Sequence, residues 1–335
     1  MTAKHEGFNS SELGFSMRER AIRPLTGEVF LAKIPPAEVE KSQFAHINCD
    51  GYGLVRKSVT SRDDWPKIDI LPEVASSRLG IPVEDAMATQ IFRDGICNYR
   101  CWYCFVDFRY LTGNPQYGSF VTPDRMVEMY QNQSDRPSIL YLTGGQPDLL
   151  PEWPLWTMKA LEKRGLDSST YLWQDDNLSS DFLWRYVDRE GIDYMRNNKN
   201  YGRSACLKGF SKQSFYENTG SAPANFETQV DVLGRLVKEG FDIYPYLIML
   251  TTEIDAAQRE IPQLMDRLRG IHENLPLKVF PSKVVEFDQT SKRIDPKQRT
   301  MMQNQHAILD IWLSELDRRY TSQQISQPKS QISLS

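Results

Sequence analysis

Histidine and cysteine are scarce in this 335-residue sequence, with four of one and five of the other. An odd cysteine count in so long a chain argues against a disulfide framework, which belongs to small stapled domains in oxidising compartments. A reducing compartment is the expectation. No stretch approaches the about eighteen apolar residues that a membrane span requires, and Met1-Thr2-Ala3-Lys4-His5-Glu6 does not open an apolar signal segment. Cytoplasmic residence follows as the default. Nor is there a basic block: 40 basic and 44 acidic residues leave a net charge of −4, which gives no electrostatic case for binding nucleic acid. What remains is a chain with 40% hydrophobic content, enough for one large domain or a domain with an appendage.

Three of the five cysteines fall together in Cys97-Asn98-Tyr99-Arg100-Cys101-Trp102-Tyr103-Cys104. This C-x3-C-x2-C spacing puts three thiolates on one short loop, where they can hold three irons of a cubic iron-sulfur cluster. Such clusters usually have four cysteine ligands, so three imply an open iron and a bound substrate or cofactor. Zinc is the first rival, but closed zinc sites want four ligands, usually as two separated pairs. The second pair is missing here, and only the distant Cys49 and Cys206 remain. An electron-transfer ferredoxin, the other rival, needs a fourth cysteine near the cluster.

With Tyr103 as the aromatic residue before the third cysteine, the run resembles the signature of the radical S-adenosylmethionine (radical SAM) superfamily. The resemblance implies that Cys97, Cys101 and Cys104 ligate a 4Fe-4S cluster whose open iron is chelated by S-adenosylmethionine. It further implies reductive cleavage of that cofactor to methionine and a 5′-deoxyadenosyl radical, which takes hydrogen from a substrate. A one-electron donor such as flavodoxin or ferredoxin would feed the cluster. Tyr103 would set its backbone against the adenine, with Trp102 and Phe105 shielding the cluster from water.

From about residue 88 the sequence alternates short apolar runs with amphipathic stretches, the pattern of βα units around a parallel sheet. Strands are expected at 89–96, 139–143, 170–173, 205–210, 243–250 and 277–285. Helices are expected at 123–132, 155–164, 182–189, 226–239 and 256–273, with Thr122 as a cap and Gly165 and Gly240 as stops. Six units in order favour a partial (βα)6 barrel of the radical SAM type over residues 88–290; a doubly wound open sheet is the alternative. Residues 1–87 form an N-terminal extension without an assignable fold, suited to a substrate lid. A C-terminal helix at 296–320 lies within a 291–320 segment, and the Ser/Gln-rich tail 321–335 has too few apolar groups to order itself.

Strand C-terminal ends carry the chemistry in parallel βα folds, and the other motifs lie there. Tyr141-Leu142-Thr143-Gly144-Gly145-Gln146-Pro147 is a glycine turn that brings bare backbone close to a ligand. It resembles the superfamily's Gly-Gly-Glu-Pro element, which binds the methionine ammonium, with Gln146 in place of the glutamate. Gln146 keeps a carbonyl acceptor without the charge, leaving backbone carbonyls to carry more of the contact. By the same resemblance Asp175 and Asp176, after the third strand, contact ribose or methionine; a solvated helix cap is the plain reading of the same residues. Ala205-Cys206-Leu207-Lys208 resembles the Asp-Leu-Lys segment of glycyl-radical activating enzymes, with Cys206 in the aspartate's place. Lys208 would then pair with the cofactor carboxylate, a surface lysine being the alternative. The substrate implied is a small molecule or a peptide-like one. Activation of a glycyl radical partner protein comes second and a non-catalytic metal-binding protein third.

Overall fold

The computed structural model describes residues 7–39 and 45–334. Residues 1–6, on which the absence of a signal segment rests, lie outside the described residues. The N-terminal part holds α1 (Ser10–Ala21), β1 (Ile22–Arg23), β2 (Glu28–Ala32), β3 (His46–Asn48), β4 (Gly53–Lys57) and α2 (Leu71–Leu79). Alternation of strand and helix follows: β5 (Ala88–Arg93), β6 (Gly118–Val121), α3 (Pro123–Gln131), β7 (Ile139–Thr143), α4 (Glu152–Lys163), β8 (Tyr171–Asp176), α5 (Phe182–Tyr186) and α6 (Arg189–Asn197). It continues through β9 (Tyr201–Leu207), α7 (Lys212–Thr219), α8 (Asn225–Glu239), β10 (Ile243–Ile248), α9 (Ile254–Ile271), α10 (Leu275–Lys278) and β11 (Phe280–Ser282). The C-terminal part adds α11 (Asp288–Ser291), α12 (Pro296–Gln303), α13 (Gln305–Arg319) and α14 (Ser322–Ser326). Among the described residues no helix is long and apolar enough to cross a membrane.

The larger sheet runs β11-β10-β9-β8-β7-β5-β4-β3. Its first six strands are mutually parallel and stand in chain order, whereas a doubly wound sheet would put its first strand in the middle. The order is that of a partial barrel. Strand alternation divides the residues between two faces. One face, through Leu140, Leu142, Leu172, Ala205, Leu207 and Leu247, packs on the surrounding helices. The other carries Ile139, Tyr171, Trp173, Tyr244 and Phe280, which close around Leu71, Val74 and Ala75 of α2. These residues begin their strands, so α2 plugs the N-terminal end of the lumen and leaves the C-terminal end for chemistry.

The N-terminal extension is continuous with the sheet: β4 pairs antiparallel with β5, and β3 with β4. The connection from β4 to α2 then meets the opposite sheet edge. There the Trp65 indole N–H donates to the Pro281 carbonyl at 2.9 Å, beside an Asp64–Lys283 ion pair and an edge-on contact of Trp65 with His306. Residues before 88 thus wall the partial barrel from the side.

Several element boundaries differ from expectation, each for a local reason. The fourth parallel strand begins at Tyr201 because Arg203, polar in sequence, is wholly buried within it. Asp188 caps a new helix by accepting from Gly191 N at 2.8 Å, which splits the expected 182–189 helix. Asn304 divides the C-terminal helix, its amide donating to the Thr251 and Thr252 carbonyls. α10, with Pro276 in its first turn, runs into the start of the expected 277–285 strand, leaving only Phe280–Ser282 extended. The tail orders through α14, capped by Thr321, and through burial of Ile332.

Trp65→Ala removes a buried ring and its hydrogen bond at the side wall, at a cost of about 3 kcal/mol. Urea denaturation measures that loss, and limited proteolysis should cut residues 58–70 in the variant before the rest of the chain.

Candidate active site

Cys97, Cys101 and Cys104 lie on the loop after β5, at the C-terminal end of the sheet. The loop is held from several sides. Cys97 N donates to the Leu111 carbonyl (3.3 Å), Cys104 N to that of Cys101 (3.0 Å), and Arg100 N to that of Thr219 (3.3 Å). Two guanidinium groups add to this. Arg100 Nη1 binds the carbonyls of Cys97 (2.6 Å) and Tyr99 (2.8 Å). Arg293, between α11 and α12, binds those of Cys104 (2.6 Å) and Val106 (2.9 Å) and lies 3.8 Å from the centre of the Phe108 ring.

All five cysteines are free. Burial pushes the Cys97 thiol up to about 11 and the Cys101 thiol to about 12. It raises Cys104 too, against the pull of Arg293, Lys208 and Arg93. Thiols held protonated in this way release protons when a metal takes their place. Among the described residues no three His, Cys, Asp or Glu side chains converge to hold a single ion. Three sulfurs on one loop suit the separate corners of a cubic cluster.

The glycine turn docks directly onto this loop. Gly145 N donates to Asp94 Oδ1 and Gln146 N to Asp94 Oδ2, both at 3.0 Å, and Gln146 N also reaches the Ile96 carbonyl at 2.8 Å. Asp94 is fully buried, and burial raises its carboxyl well above the usual range despite those two donors. Gly144 has φ +92°, and a Cβ there would stand 2.4 Å from Arg93 Cγ; one on Gly145 would stand 2.0 Å from the Ile96 carbonyl oxygen. The bare backbone expected to approach a ligand is required first by the chain's own packing. Pro147 opens a buried turn whose Leu149 carbonyl, with Glu152, receives Arg18 of α1.

Gln146 differs from expectation. Its side chain is fully buried and engaged with the end of β8: Nε2 donates to Asp176 Oδ1 and Oε1 accepts from Asn177 N, both at 2.8 Å. Strand alternation likewise separates the two aspartates. Asp175 faces the lumen and accepts hydroxyls from Tyr141 (2.6 Å), Ser204 (2.6 Å) and Thr143. Asp176 faces the helices, where Arg203 Nη2 bridges it (2.8 Å) to Asp148 (2.7 Å). Lys208 reaches the inner side beside Cys206 and Cys101; burial opposes its charge, but those sulfurs outweigh burial and raise its pKa. Tyr103 lies edge-on to Trp102, and the Trp102 group packs with Ile248, Leu250, Val284 and Met301. Phe105, by contrast, is 42% exposed.

The profile described as the radical SAM superfamily matches residues 95–268. The chain belongs to the radical SAM superfamily. No curated protein matches it in sequence. Among solved structures it is similar to Streptococcus suis SuiB, with TM-score 0.46 and 12% identity over 69% of this chain and 47% of that one. SuiB bound to S-adenosylmethionine gives 0.45 and 11% over 69% and 48%. A histidine-tagged anSMEcpe with bound AdoMet gives 0.42 and 14% over 67% and 57%. This radical SAM chain thus spans about half the length of those structures.

The superfamily's cofactors are a 4Fe-4S cluster and S-adenosylmethionine, and the donor set of this radical SAM chain fits them. Three thiols share one pinned loop, and the cations Lys208 and Arg93 act on Cys104 from nearby. The sequence reading missed Arg93, Asp94, Arg203 and Arg293. Arg93-Asp94 had a signal, a charged pair closing an apolar strand just before the cysteines. Arg203 and Arg293 had none, because their partners are distant in sequence.

Gln146→Glu would set a second carboxylate against Asp176, an uncompensated buried charge. We expect it to weaken S-adenosylmethionine binding about tenfold, measured by titration of the reconstituted protein; a cofactor-contacting residue 146 would bind the ammonium tighter as glutamate. Asp148 gives a pH signature. Burial, then Asp176, raise it to about 7 against the pull of Arg203. The folded state therefore holds a proton that the unfolded state releases, so the contribution of Asp148 to stability is fully present below about pH 4 and is lost as pH rises through about 7. Asp148→Asn should flatten that slope in denaturation curves taken across this window.

Proposed function

We propose that this chain is a radical SAM enzyme that cleaves S-adenosylmethionine reductively and takes hydrogen from a small-molecule or peptide-like substrate. The observation that carries the reading is the joining of the three-cysteine loop to the Gly-Gly turn through Asp94. Cys97, Cys101 and Cys104 would hold the cluster. When bound, cluster and cofactor together supply one-electron cleavage to methionine and a 5′-deoxyadenosyl radical.

The chain's own groups do the rest. Lys208 and Arg93 set positive charge at the mouth of the lumen, suited to the cofactor carboxylate. Gly144, Gly145 and Pro147 offer turn backbone to its ammonium, with Gln146 and Asp176 fixing that turn from behind. Asp175, fixed by three hydroxyls, presents an anionic face to the polar end of the cofactor. Tyr103 offers its backbone to the adenine, and the Trp102 group excludes water. Since α2 and the Trp65 wall close the lumen below and at the side, substrate enters over the strand C-terminal ends. The extension before residue 88 serves as that wall, in the place of a lid. The electron donor is a flavodoxin or ferredoxin, and the free cysteines suit a reducing cytoplasm. Activation of a glycyl radical partner is the second reading, favoured by Lys208 beside Cys206 and Cys101; pull-down of a large partner would support it over turnover of a metabolite.

The test is anaerobic reconstitution with iron and sulfide, reduction, addition of S-adenosylmethionine, and measurement of 5′-deoxyadenosine beside a Cys101→Ala control. We expect cleavage in the wild type and its loss in the control. A full, reducible cluster that yields none, with candidate substrates present, would favour a non-catalytic metal-binding protein.

A further inference from the structure

Asn177 follows β8 and is 5% exposed. Its backbone is held on both sides: its N–H donates to Gln146 Oε1 at 2.8 Å and its carbonyl accepts from Gln229 Nε2 at 2.5 Å. Its side-chain amide has one orientation. Oδ1 accepts from Ser179 N at 3.0 Å, so Nδ2 must point the other way. There it meets Cys97 Sγ at 3.8 Å and Asn98 Oδ1 at 3.4 Å. Asn98 is itself immobilised, donating to the Ser10 carbonyl at 3.0 Å and accepting from Ser179 Oγ at 2.9 Å.

We propose that Asn177, acting through the Cys97 sulfur, sets the reduction potential of the bound cluster. The inference rests on the reading of Cys97 as a cluster ligand. Reduction adds one electron, and part of the added negative charge resides on the ligating sulfurs. A fixed N–H dipole aimed at one of them favours the reduced state and raises the potential; hydrogen bonds to sulfur are among the means by which proteins tune such clusters. The amide is preorganised, since Ser179, Gln146 and Gln229 already hold it, so no ordering cost falls on the electron-transfer step. Because Gln146 belongs to the glycine turn, the same residue ties the cofactor side of the site to the cluster side.

The test compares reconstituted wild type with Asn177→Leu, which has no donor, and Asn177→Asp, which keeps the acceptor for Ser179 N and replaces the donor with a charge. Each is poised at a series of potentials and the reduced cluster counted by EPR. We expect both variants to reduce at lower potential, by about tenfold in the one-electron equilibrium, or about 59 mV, with Asn177→Asp shifted further. Ser179→Ala, which leaves the backbone donor and the Nδ2 contact in place, should keep the wild-type value. Wild-type potentials in both Asn177 variants would overturn the inference. Should neither variant take up iron, the wild type labelled with 15N at the asparagine side-chain nitrogen decides: a weak 15N coupling to the reduced cluster supports the contact, and its absence overturns it. A wild type that assembles no cluster overturns the functional reading and this inference together, whereas a full cluster with unmoved potentials overturns this inference alone.

Discussion

The carboxylate of Asp94 holds the two halves of this site together. It directly follows the first parallel strand, three residues before the first cysteine, and its two oxygens take the backbone N–H groups of Gly145 and Gln146 from the next strand's turn. Neither segment has regular structure of its own to fix its place. The cysteine loop relies on outside donors, and the glycine turn is shaped by what it packs against. Both oxygens of Asp94 are engaged across the two segments, so one fully buried side chain fixes the register between the cysteine loop and the glycine turn. The glycines follow from this, because any Cβ at Gly145 would collide with the Ile96 carbonyl and push the turn off Asp94.

Behind the turn lies a second layer of support on the helix side of the sheet. Arg203 has no exposed surface and bridges Asp148 and Asp176, and Asp176 in turn binds Gln146. Burying a guanidinium with two acids is costly, and removing one member of such a set leaves the others uncompensated, at about 3 to 5 kcal/mol. The arrangement contributes direction more than stability: it orients Gln146 from below while the lumen side of the same strand presents Asp175. Two adjacent aspartates thus do different work because a strand sends neighbouring side chains to opposite faces.

The parallel core was legible in sequence because each unit repeats a local pattern. The strand at Ile139–Thr143 and the helix capped by Thr122 rest on periodicity and a single capping residue, signals confined to a few neighbours. The cysteine loop was legible for the same reason, its spacing being local. What could not be read depended on partners far away along the chain. Arg203 within a strand and Trp65 between elements look like interruptions until Asp148 and Pro281 are placed beside them. The hydrogen-bonding capacity of Gln146 was visible in sequence and Asp176's claim on it was not. The tail was judged by composition alone, which undercounts a segment able to bury its few apolar groups on a surface already built.

The Arg293 clamp has a consequence for the order of events during biosynthesis. Its guanidinium binds the Cys104 carbonyl from 189 residues downstream. While the chain is being made, the cysteines emerge long before this arginine, and such a distant contact forms late because loop-closure entropy must be met first. Through that interval the loop lacks its outer brace. When the C-terminal segment arrives, Arg293 closes over Cys104 and Val106 and stacks on Phe108. The brace of the loop is thus among the last of its contacts to form, although the loop itself lies in the first third of the chain.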